Sequence, residues 1–199
     1  MSDPAWPDVQ AWIREAKNSV DVLPPDAPRR DSIREKVGVS LESALGAVIH
    51  ETGGLLVDQG WLRILGSGSP RIPRTALVDR QWILVGDDVV GGFFALHPPG
   101  GDVRYLAPDT LEWEGLGIRY SAWLRWCLSE QLGVFYQDYR AHGWEERIRS
   151  LEPERSFQIL PPPWAEGPAF YERSWKSLPV EQLYELTLDL QTQLREDKR

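Results

Sequence analysis

The chain contains 199 residues, with 22 Lys and Arg against 30 Asp and Glu, which gives a formal net charge of −8. Apolar residues make up 42% and charged residues 26%, a composition typical of a globular protein with its own core. The acidic balance argues against broad electrostatic binding to nucleic acid or to anionic lipid. The single cysteine, Cys127, excludes an intramolecular disulfide framework and any zinc site built on cysteines.

Membrane and export signals are missing from the sequence. No stretch approaches the roughly 18 consecutive apolar residues of a membrane-spanning helix, and the first residues lack the basic and apolar regions of a signal peptide. We therefore expect a cytoplasmic protein that forms a single domain over residues 1–199. A helix and loop at 1–38 and a helix at about 178–196 are expected to extend its central part.

The first third of the chain shows helical periodicity. Apolar side chains recur at helical spacing over residues 4–17, which predicts a first helix. The proline-rich segment 23–28 cannot continue a helix and predicts an extended loop. A second apolar stripe begins after Ser40, a capping residue, and stops at Gly53 and Gly54, which predicts a second helix.

In the middle of the chain the spacing of apolar residues changes to a period of about 2. The apolar runs 55–57 and 61–65 flank the segment 58–60 (Asp-Gln-Gly), which predicts a β-hairpin. Further runs typical of short strands occupy residues 82–85, 93–96, 103–106 and 112–114. The middle of the chain therefore predicts an antiparallel meander.

Helical spacing returns at Tyr120, where an apolar stripe includes Cys127 and predicts a helix with a buried, inert thiol. The remaining predicted elements are a helix over 135–151 with a break at Gly143, a strand over 157–160, a proline loop at 161–163 and a helix from about Pro179. Helices before and after one antiparallel sheet indicate an α+β fold.

Signals of catalysis are weak. The histidines His50, His97 and His142 are far apart in sequence, and none has a second histidine at metal-binding spacing. No acid and base are matched at a spacing that would indicate a reaction. We therefore expect no metal, no cofactor and no catalytic residues.

One segment is a candidate ligand-binding loop. Residues 66–70 (Gly-Ser-Gly-Ser-Pro) lack both the lysine of a phosphate-binding loop and the spacing of a nucleophile elbow. Their backbone N–H groups are nevertheless suited to an anion. The candidate ligand-binding residues are Arg63, Ser67, Gly68, Asp87 and Asp88. The alternative is a plain connection, together with a turn in which aspartates serve only the backbone conformation.

Three other residues are candidates for contact with a protein partner. Glu112 and Glu114 alternate along one short predicted strand, so they share a face. Trp126 lies off the apolar stripe of its helix, and tryptophan is common at binding hot spots. The alternatives are a solvated acidic face and a tryptophan that packs against a second layer.

Five sequence blocks carry a family resemblance. They are ETGG at 51–54, GWLRILGSG at 60–68, GGFFAL at 91–96, YLAPDTLEWE at 105–114 and the aromatic segment 120–136. Together with flanking residues from about 6 to 165, they resemble an uncharacterised bacterial family known only as a domain of unknown function. The resemblance implies a bacterial origin and offers no activity or catalytic residue.

A more distant resemblance covers residues 40–140. The glycine-rich turn, the FFAL strand, the GDVRYLAPD hairpin, EWE and a helix entered at Ser121 follow an order similar to the SUKH immunity-protein superfamily. This resemblance implies an antiparallel sheet flanked by helices and a toxin, often a nuclease, as partner. The long N-terminal segment and the extended C-terminus depart from the pattern.

Two functional hypotheses therefore stand side by side. The first is a non-catalytic protein-binding module for a basic partner, or a homodimer, with Glu112, Glu114 and Trp126 at the interface. The second is a small-ligand binder or an enzyme with its site around the loop 66–69. A polar pocket at this loop would favour the second hypothesis.

Overall fold

A computed structural model describes residues 4–97, 101–140 and 143–196, and the side chains of the last helix up to residue 194. The strands are β1 (Val20–Leu23), β2 (Gly54–Val57), β3 (Leu62–Leu65), β4 (Leu77–Asp79), β5 (Trp82–Asp88), β6 (Phe93–Leu96), β7 (Val103–Leu106), β8 (Trp113–Gly115), β9 (Arg155–Leu160) and β10 (Ser174–Pro179). The helices are α1 (Trp6–Arg14), α2 (Arg30–Val37), α3 (Ala44–Glu51), α4 (Tyr120–Cys127), α5 (Gln131–Phe135), α6 (Trp144–Arg149) and α7 (Val180–Glu196), with a 3₁₀ turn at Phe170–Glu172.

The main sheet has eight strands, and seven of them follow the order β1-β2-β3-β5-β6-β7-β8. The eighth, β4, pairs with the first half of β5, while β3 pairs with the second half of the same strand. Every pair is antiparallel. A separate two-stranded sheet joins β9 to β10. The predicted α+β fold, with an antiparallel sheet flanked by helices at both ends, is confirmed.

The hairpin of β2 and β3 forms where the sequence predicts it. Val57 and Leu62 are paired at its tip. Asp58, Gln59 and Gly60 all have positive φ, with values of 53°, 60° and 89°. A left-handed run of this kind suits the right-handed twist of the strands that it joins. The turn also fixes the position of the Asp58 carboxylate.

The N-terminal segment contains more structure than the predicted helix and loop. Strand β1 pairs with β2, and α2 follows the proline-rich segment. Helix α2 was missed because its sequence, RDSIREKV, is mostly charged and places only Val37 in the core. It ends at Gly38, whose φ of 75° is the left-handed conformation that commonly terminates helices.

Other helices and strands also differ from the prediction. Helix α3 begins at Ala44, because the Ser43 hydroxyl, and not Ser40, accepts the capping hydrogen bond from the Gly46 amide at 3.0 Å. The helix predicted over 135–151 with a break at Gly143 is shorter than expected, because α5 ends at Phe135 and only α6, which begins directly after Gly143, lies within that range. Strand β10 was not predicted, although it pairs with β9 over six residues.

Both faces of the central strands are buried, which explains their continuous apolar sequences. On one face, Phe93 and Leu106 pack against Tyr184 of α7. On the other face, Phe94 lies 5.2 Å from the ring of Trp123 in α4. Within the described ranges, no helix is both long and apolar enough to cross a bilayer.

Candidate functional site

The centre of the molecule contains a buried arginine. Arg63 in β3 lies directly opposite Asp87 in β5, and its Nε donates to Asp87 Oδ1 at 2.5 Å. Its Nη1 donates to the Arg155 carbonyl at 2.6 Å, and its Nη2 donates to the Asp88 carbonyl at 2.7 Å and to the Ser156 hydroxyl. Burial lowers the pKa of Arg63, and the charge of Asp87 opposes that shift.

Asp88 is fully buried beside Arg63, and both of its carboxylate oxygens are in use. Oδ1 accepts from the amides of Val90 and Gly92 at 2.9 and 2.8 Å. Oδ2 accepts from the hydroxyls of Tyr105 and Tyr136, both at 2.7 Å. Burial raises the pKa of Asp88, and these donors oppose the shift because they favour the charged form.

Arg74 connects this network to the surface. It donates to Asp87 Oδ2, to Glu154 Oε1 at 3.1 Å and to the Pro153 carbonyl at 3.2 Å. Burial lowers the pKa of Arg74, but the charges of Asp87 and Glu154 outweigh burial and raise it overall. We call the set Arg63, Arg74, Asp87, Asp88, Tyr105, Tyr136, Glu154 and Ser156 the arginine–aspartate network.

The predicted ligand-binding residues are only partly brought together. Arg63, Asp87 and Asp88 meet in the network. Ser67 is buried elsewhere and donates to the Thr52 carbonyl at 3.1 Å. Gly68 has a φ of 89°, and a Cβ at this position would lie 2.9 Å from the Pro73 carbonyl oxygen. The loop is therefore a packed connection that needs glycine for its backbone.

A cleft of about 540 Å³ lies next to the network, between β4, β5 and the first turn of α7. We call it the β4–α7 cleft. Its apolar lining includes Leu65, Leu77, Leu84, Phe93 and Val180. Its charged lining residues are Asp79, Asp87, Glu181, Glu185, Arg29 and Arg74. The volume falls within the ~300–1,000 Å³ range of ligand sites.

The three predicted partner-contact residues lie in different environments. Glu114 is exposed in β8 and accepts from the Thr110 hydroxyl at 2.7 Å. Glu112 is also exposed but precedes β8, because that strand begins one residue later than predicted. It lines a groove together with Arg80 and Arg104, so its charge is not isolated.

Trp126 is half-buried against the core, and its ring meets the edge of Phe135 at a centroid distance of 5.2 Å. Phe135 is itself 40% exposed and the neighbouring Val134 is 58% exposed. Trp126 thus packs against a second layer on one side and lies near exposed apolar side chains on the other.

A cluster of metal ligands or a reactive cysteine would be a further source of chemistry. In the part of the chain that the structure describes, no three His, Cys, Asp or Glu side chains are grouped to hold a metal ion. Cys127 is buried as predicted, and burial raises the pKa of its thiol well above the ordinary value. A thiol in that state is a poor nucleophile. The network residues missed from sequence are Arg74, Tyr105, Tyr136, Glu154 and Ser156.

Comparisons with known proteins identify relatives. The profile of DUF2625, described as a protein of unknown function, matches residues 1–183. The chain is 36% identical to the uncharacterised protein YbfG of Escherichia coli (strain K12), over 92% of this chain and 90% of that protein. It is 33% identical to an uncharacterised protein of Haemophilus influenzae (strain ATCC 51907 / DSM 11121 / KW20 / Rd), over 79% of this chain and 76% of that protein.

No solved structure matches the chain significantly. The more distant resemblance to the SUKH superfamily therefore stays a prediction. The match to the family profile extends over more than nine-tenths of the sequence, and both relatives align over most of their own length. The resemblance to an uncharacterised bacterial family is confirmed, and the chain belongs to the DUF2625 family of proteins of unknown function.

Proposed function

We propose that this protein is a non-catalytic binding module that takes a basic, partly apolar segment of a partner protein into the β4–α7 cleft. The observation that carries the proposal is the lining of the cleft, an apolar floor with carboxylates around it. Lysine and arginine place a long apolar stem below a charged end, so their side chains match such a surface.

Exposed apolar side chains support a macromolecular partner. Leu77 in β4 lines the cleft and is 52% exposed, and the adjacent Val78 is 42% exposed. Both belong to a three-residue strand that pairs with β5. Apolar surface of this kind beside a cleft is typical of an interaction site.

The charges at the cleft favour a basic segment. The cations at the cleft are already paired: Arg29 lies 3.4 Å from Asp26, and Arg74 contacts Asp87 and Glu154. Glu181 lines the cleft without a recorded ion pair among the described residues. A cleft with surplus carboxylates, on a chain of net charge −8, accelerates encounter with a basic partner.

The saturated network argues against an enzyme at the same place. A general base needs a free lone pair within hydrogen-bonding reach of its substrate. The Asp87 oxygens each accept from an arginine, and those of Asp88 accept four hydrogen bonds. Asp88 therefore has no free lone pair for this role, and Asp87 is held between two arginines.

The proposal is tested by selecting a random displayed peptide library on the purified full-length chain. We expect the enriched peptides to combine Lys or Arg with apolar residues, because the cleft pairs carboxylates with an apolar floor. Their affinity should fall about tenfold or more in Glu181→Lys and in Leu77→Asp, and should weaken with rising salt.

The matched control is Glu112→Lys, which makes the same charge change on the face first predicted from sequence. An affinity that falls as much in Glu112→Lys as in Glu181→Lys would refute the cleft as the site. Enrichment of peptides without basic residues would do the same. A basic nuclease toxin, the partner implied by the SUKH resemblance, has the chemistry expected here.

A small ligand is a second candidate, favoured by the volume of the cleft and by the position of Arg74 and Thr75 in its wall. A thermal-shift screen against a metabolite library separates this candidate from the first. A compound that raises the melting temperature of the wild type but not of Leu77→Asp would favour the small-ligand reading.

A further inference from the structure

A second, smaller cavity lies away from the β4–α7 cleft and has a volume of about 80 Å³. Its walls include Trp61, Tyr139, Trp144, Arg147 and Trp175. We call it the tryptophan cavity. A single buried water needs only about 10–15 Å³ measured in this way, so the space holds a group larger than one water. The half-exposed ring of Tyr171 also lines the cavity and marks its opening to solvent.

Several buried polar atoms at this cavity have no hydrogen-bond partner within the described residues. Two belong to lining residues, the indole Nε1 of Trp61 and the hydroxyl of Tyr139. The others are Nε and Nη2 of Arg140, whose guanidinium lies over the rings of Trp61 and Trp144 and does not itself line the cavity. Trp61 is completely buried. Unpaired buried donors are costly, and those of Trp61 and Tyr139, unlike those of Tyr120 and Trp123 elsewhere in the core, belong to side chains that line a cavity able to hold an acceptor.

The chemistry of these atoms restricts what the acceptor is. Indole and guanidinium N–H groups only donate hydrogen bonds. Burial raises the pKa of Tyr139, so its phenol remains protonated and able to donate. A group in the cavity must therefore supply acceptor oxygens to Trp61, just before β3, and to Tyr139, between α5 and α6.

Two guanidinium groups lie on the rings that form the cavity. The Arg140 guanidinium lies between the rings of Trp61 and Trp144, 4.4 and 4.5 Å from their centroids. Arg147 lies 4.3 Å from the ring centroid of Trp175. The recorded counter-charge is Asp58, which is 2.5 Å from Arg140 Nη1. Arg147 therefore lines the cavity without a carboxylate partner among the described residues, and Arg140 is paired with a single one.

The same contacts exclude the usual ligand of an aromatic cage. Aromatic cages bind methylated ammonium groups through their ring faces. Here those faces already carry the guanidiniums of Arg140 and Arg147. A further cation would be repelled, whereas an anion would meet both cations and the unpaired donors.

We propose that the tryptophan cavity binds a compact oxyanion, either a carboxylate or a phosphate group. Trp61 and Tyr139 donate hydrogen bonds to its oxygens, Arg147 supplies charge at the cavity wall, and Arg140 adds charge from behind the Trp61 and Trp144 rings. This site is separate from the β4–α7 cleft and does not depend on the function proposed for that cleft.

The test is a thermal-shift titration of the full-length chain with sodium acetate and with sodium phosphate, against sodium chloride at equal ionic strength. Tryptophan fluorescence is followed in the same titrations, because Trp61 and Trp144 line the site. We expect at least one oxyanion to raise the melting temperature in a saturable manner and to change the fluorescence, while chloride does neither.

The variants are Arg147→Gln and Tyr139→Phe, with Arg149→Gln as the matched control. Arg149 is on the same helix but points outward, with its side chain 66% exposed. Affinity should fall about tenfold in Arg147→Gln and in Tyr139→Phe, and should be unchanged in Arg149→Gln.

Three results would overturn the proposal: an equal response to chloride, wild-type affinity in Tyr139→Phe, or an equal loss in Arg147→Gln and Arg149→Gln. A response to acetate alone identifies a carboxylate ligand, and a response to phosphate identifies a phosphate ligand. Because Tyr139→Phe removes a single oxygen, it preserves the packing of the ring on Phe170, which is stacked at 4.4 Å.

Discussion

The arginine–aspartate network and the tryptophan cavity both bury arginine, tyrosine and other polar groups, but they differ in hydrogen bonding. In the network, the Arg63 guanidinium donates five hydrogen bonds and the Asp88 carboxylate accepts four, all within the chain. In the cavity, the donors of Trp61 and Tyr139 have no partner among the described residues, and neither do two atoms of the neighbouring Arg140. A saturated buried cluster indicates a structural role, and an unsaturated one indicates a place for something that binds.

The largest expected effect is in the network. Replacing Arg63 by methionine leaves Asp87 buried with one of its two arginine partners gone. We expect the free energy of unfolding to fall by about 3–5 kcal/mol, because a buried charge loses its counter-charge. Urea unfolding followed by circular dichroism measures the loss.

The control for that variant is Arg71→Gln. Arg71 pairs with Asp21 at the surface, where both side chains are more than half exposed. An exposed pair contributes less than about 1 kcal/mol. Similar losses in the two variants would show that the network does not stabilise the fold as described.

Raising the pH to 11 is expected to lower the free energy of unfolding nearly as much as Arg63→Met does. Burial raises the pKa of Tyr105, Tyr120 and Tyr136, with the charge of Asp88 adding to the shift for two of them. An unfolded tyrosine ionises near pH 10, whereas these remain protonated in the folded chain, so stability falls as the pH rises above 10. At pH 11 the three together remove about 4 kcal/mol.

Absorbance of tyrosinate and circular dichroism, recorded over the same pH range, test this expectation. Ionisation of the buried tyrosines should coincide with loss of structure. Ionisation well before unfolding would mean that the hydroxyls of Tyr105 and Tyr136 are accessible, which the geometry around Asp88 contradicts.

Two substitutions that each remove one tyrosine hydroxyl compare the arginine–aspartate network with the tryptophan cavity directly. Tyr136→Phe removes a hydrogen bond to the Asp88 carboxylate and should cost about 2 kcal/mol. Tyr139→Phe removes a hydroxyl that has no recorded partner, so in chloride buffer it should change stability by less than about 0.5 kcal/mol. Chemical denaturation of both variants gives the two values, and a reversed order would invalidate the contrast.

The last prediction concerns Trp126, where the expected effect is again small. Because this residue is half-buried and meets Phe135 only at a ring edge, Trp126→Ala should cost about 1 kcal/mol. Trp123→Ala, in the same helix but completely buried, should cost about 3–5 kcal/mol. Thermal melts separate the two. If Trp126→Ala also abolished binding of the selected peptides, the partner surface would include Trp126.

Much of the fold was predictable because it follows from local patterns. The hairpin of β2 and β3 is specified by its alternating strands and by Asp58-Gln59-Gly60, and the start of α7 by its apolar stripe. Helix α2 was not predictable in this way because its residues are mainly charged and reach the core only at Val37. The position of α2 depends on contacts with α3 and β4 instead.

The candidate sites were much less predictable. Arg63 lies within an apolar strand, and a charged residue at such a position is the one local sign in the sequence of a buried ion pair. The partner Asp87 can be identified only once the pairing of β3 with β5 is known. Ser156, which accepts from Arg63, lies 93 residues after Arg63 in the sequence. The tryptophan cavity assembles residues from Trp61 to Trp175, and no spacing in the sequence relates them.

The long separation between Arg63 and its carbonyl partner at residue 155 has a consequence for synthesis. The guanidinium leaves the ribosome 92 residues before that partner. At bacterial elongation rates, between about 5 and 20 residues per second, this delay is roughly 5–20 s. For that time the Arg63–Asp87 pair of β3 and β5 lacks the Arg155 carbonyl and the Ser156 hydroxyl, and the buried hydrogen bonds of the guanidinium are completed only when β9 has been made.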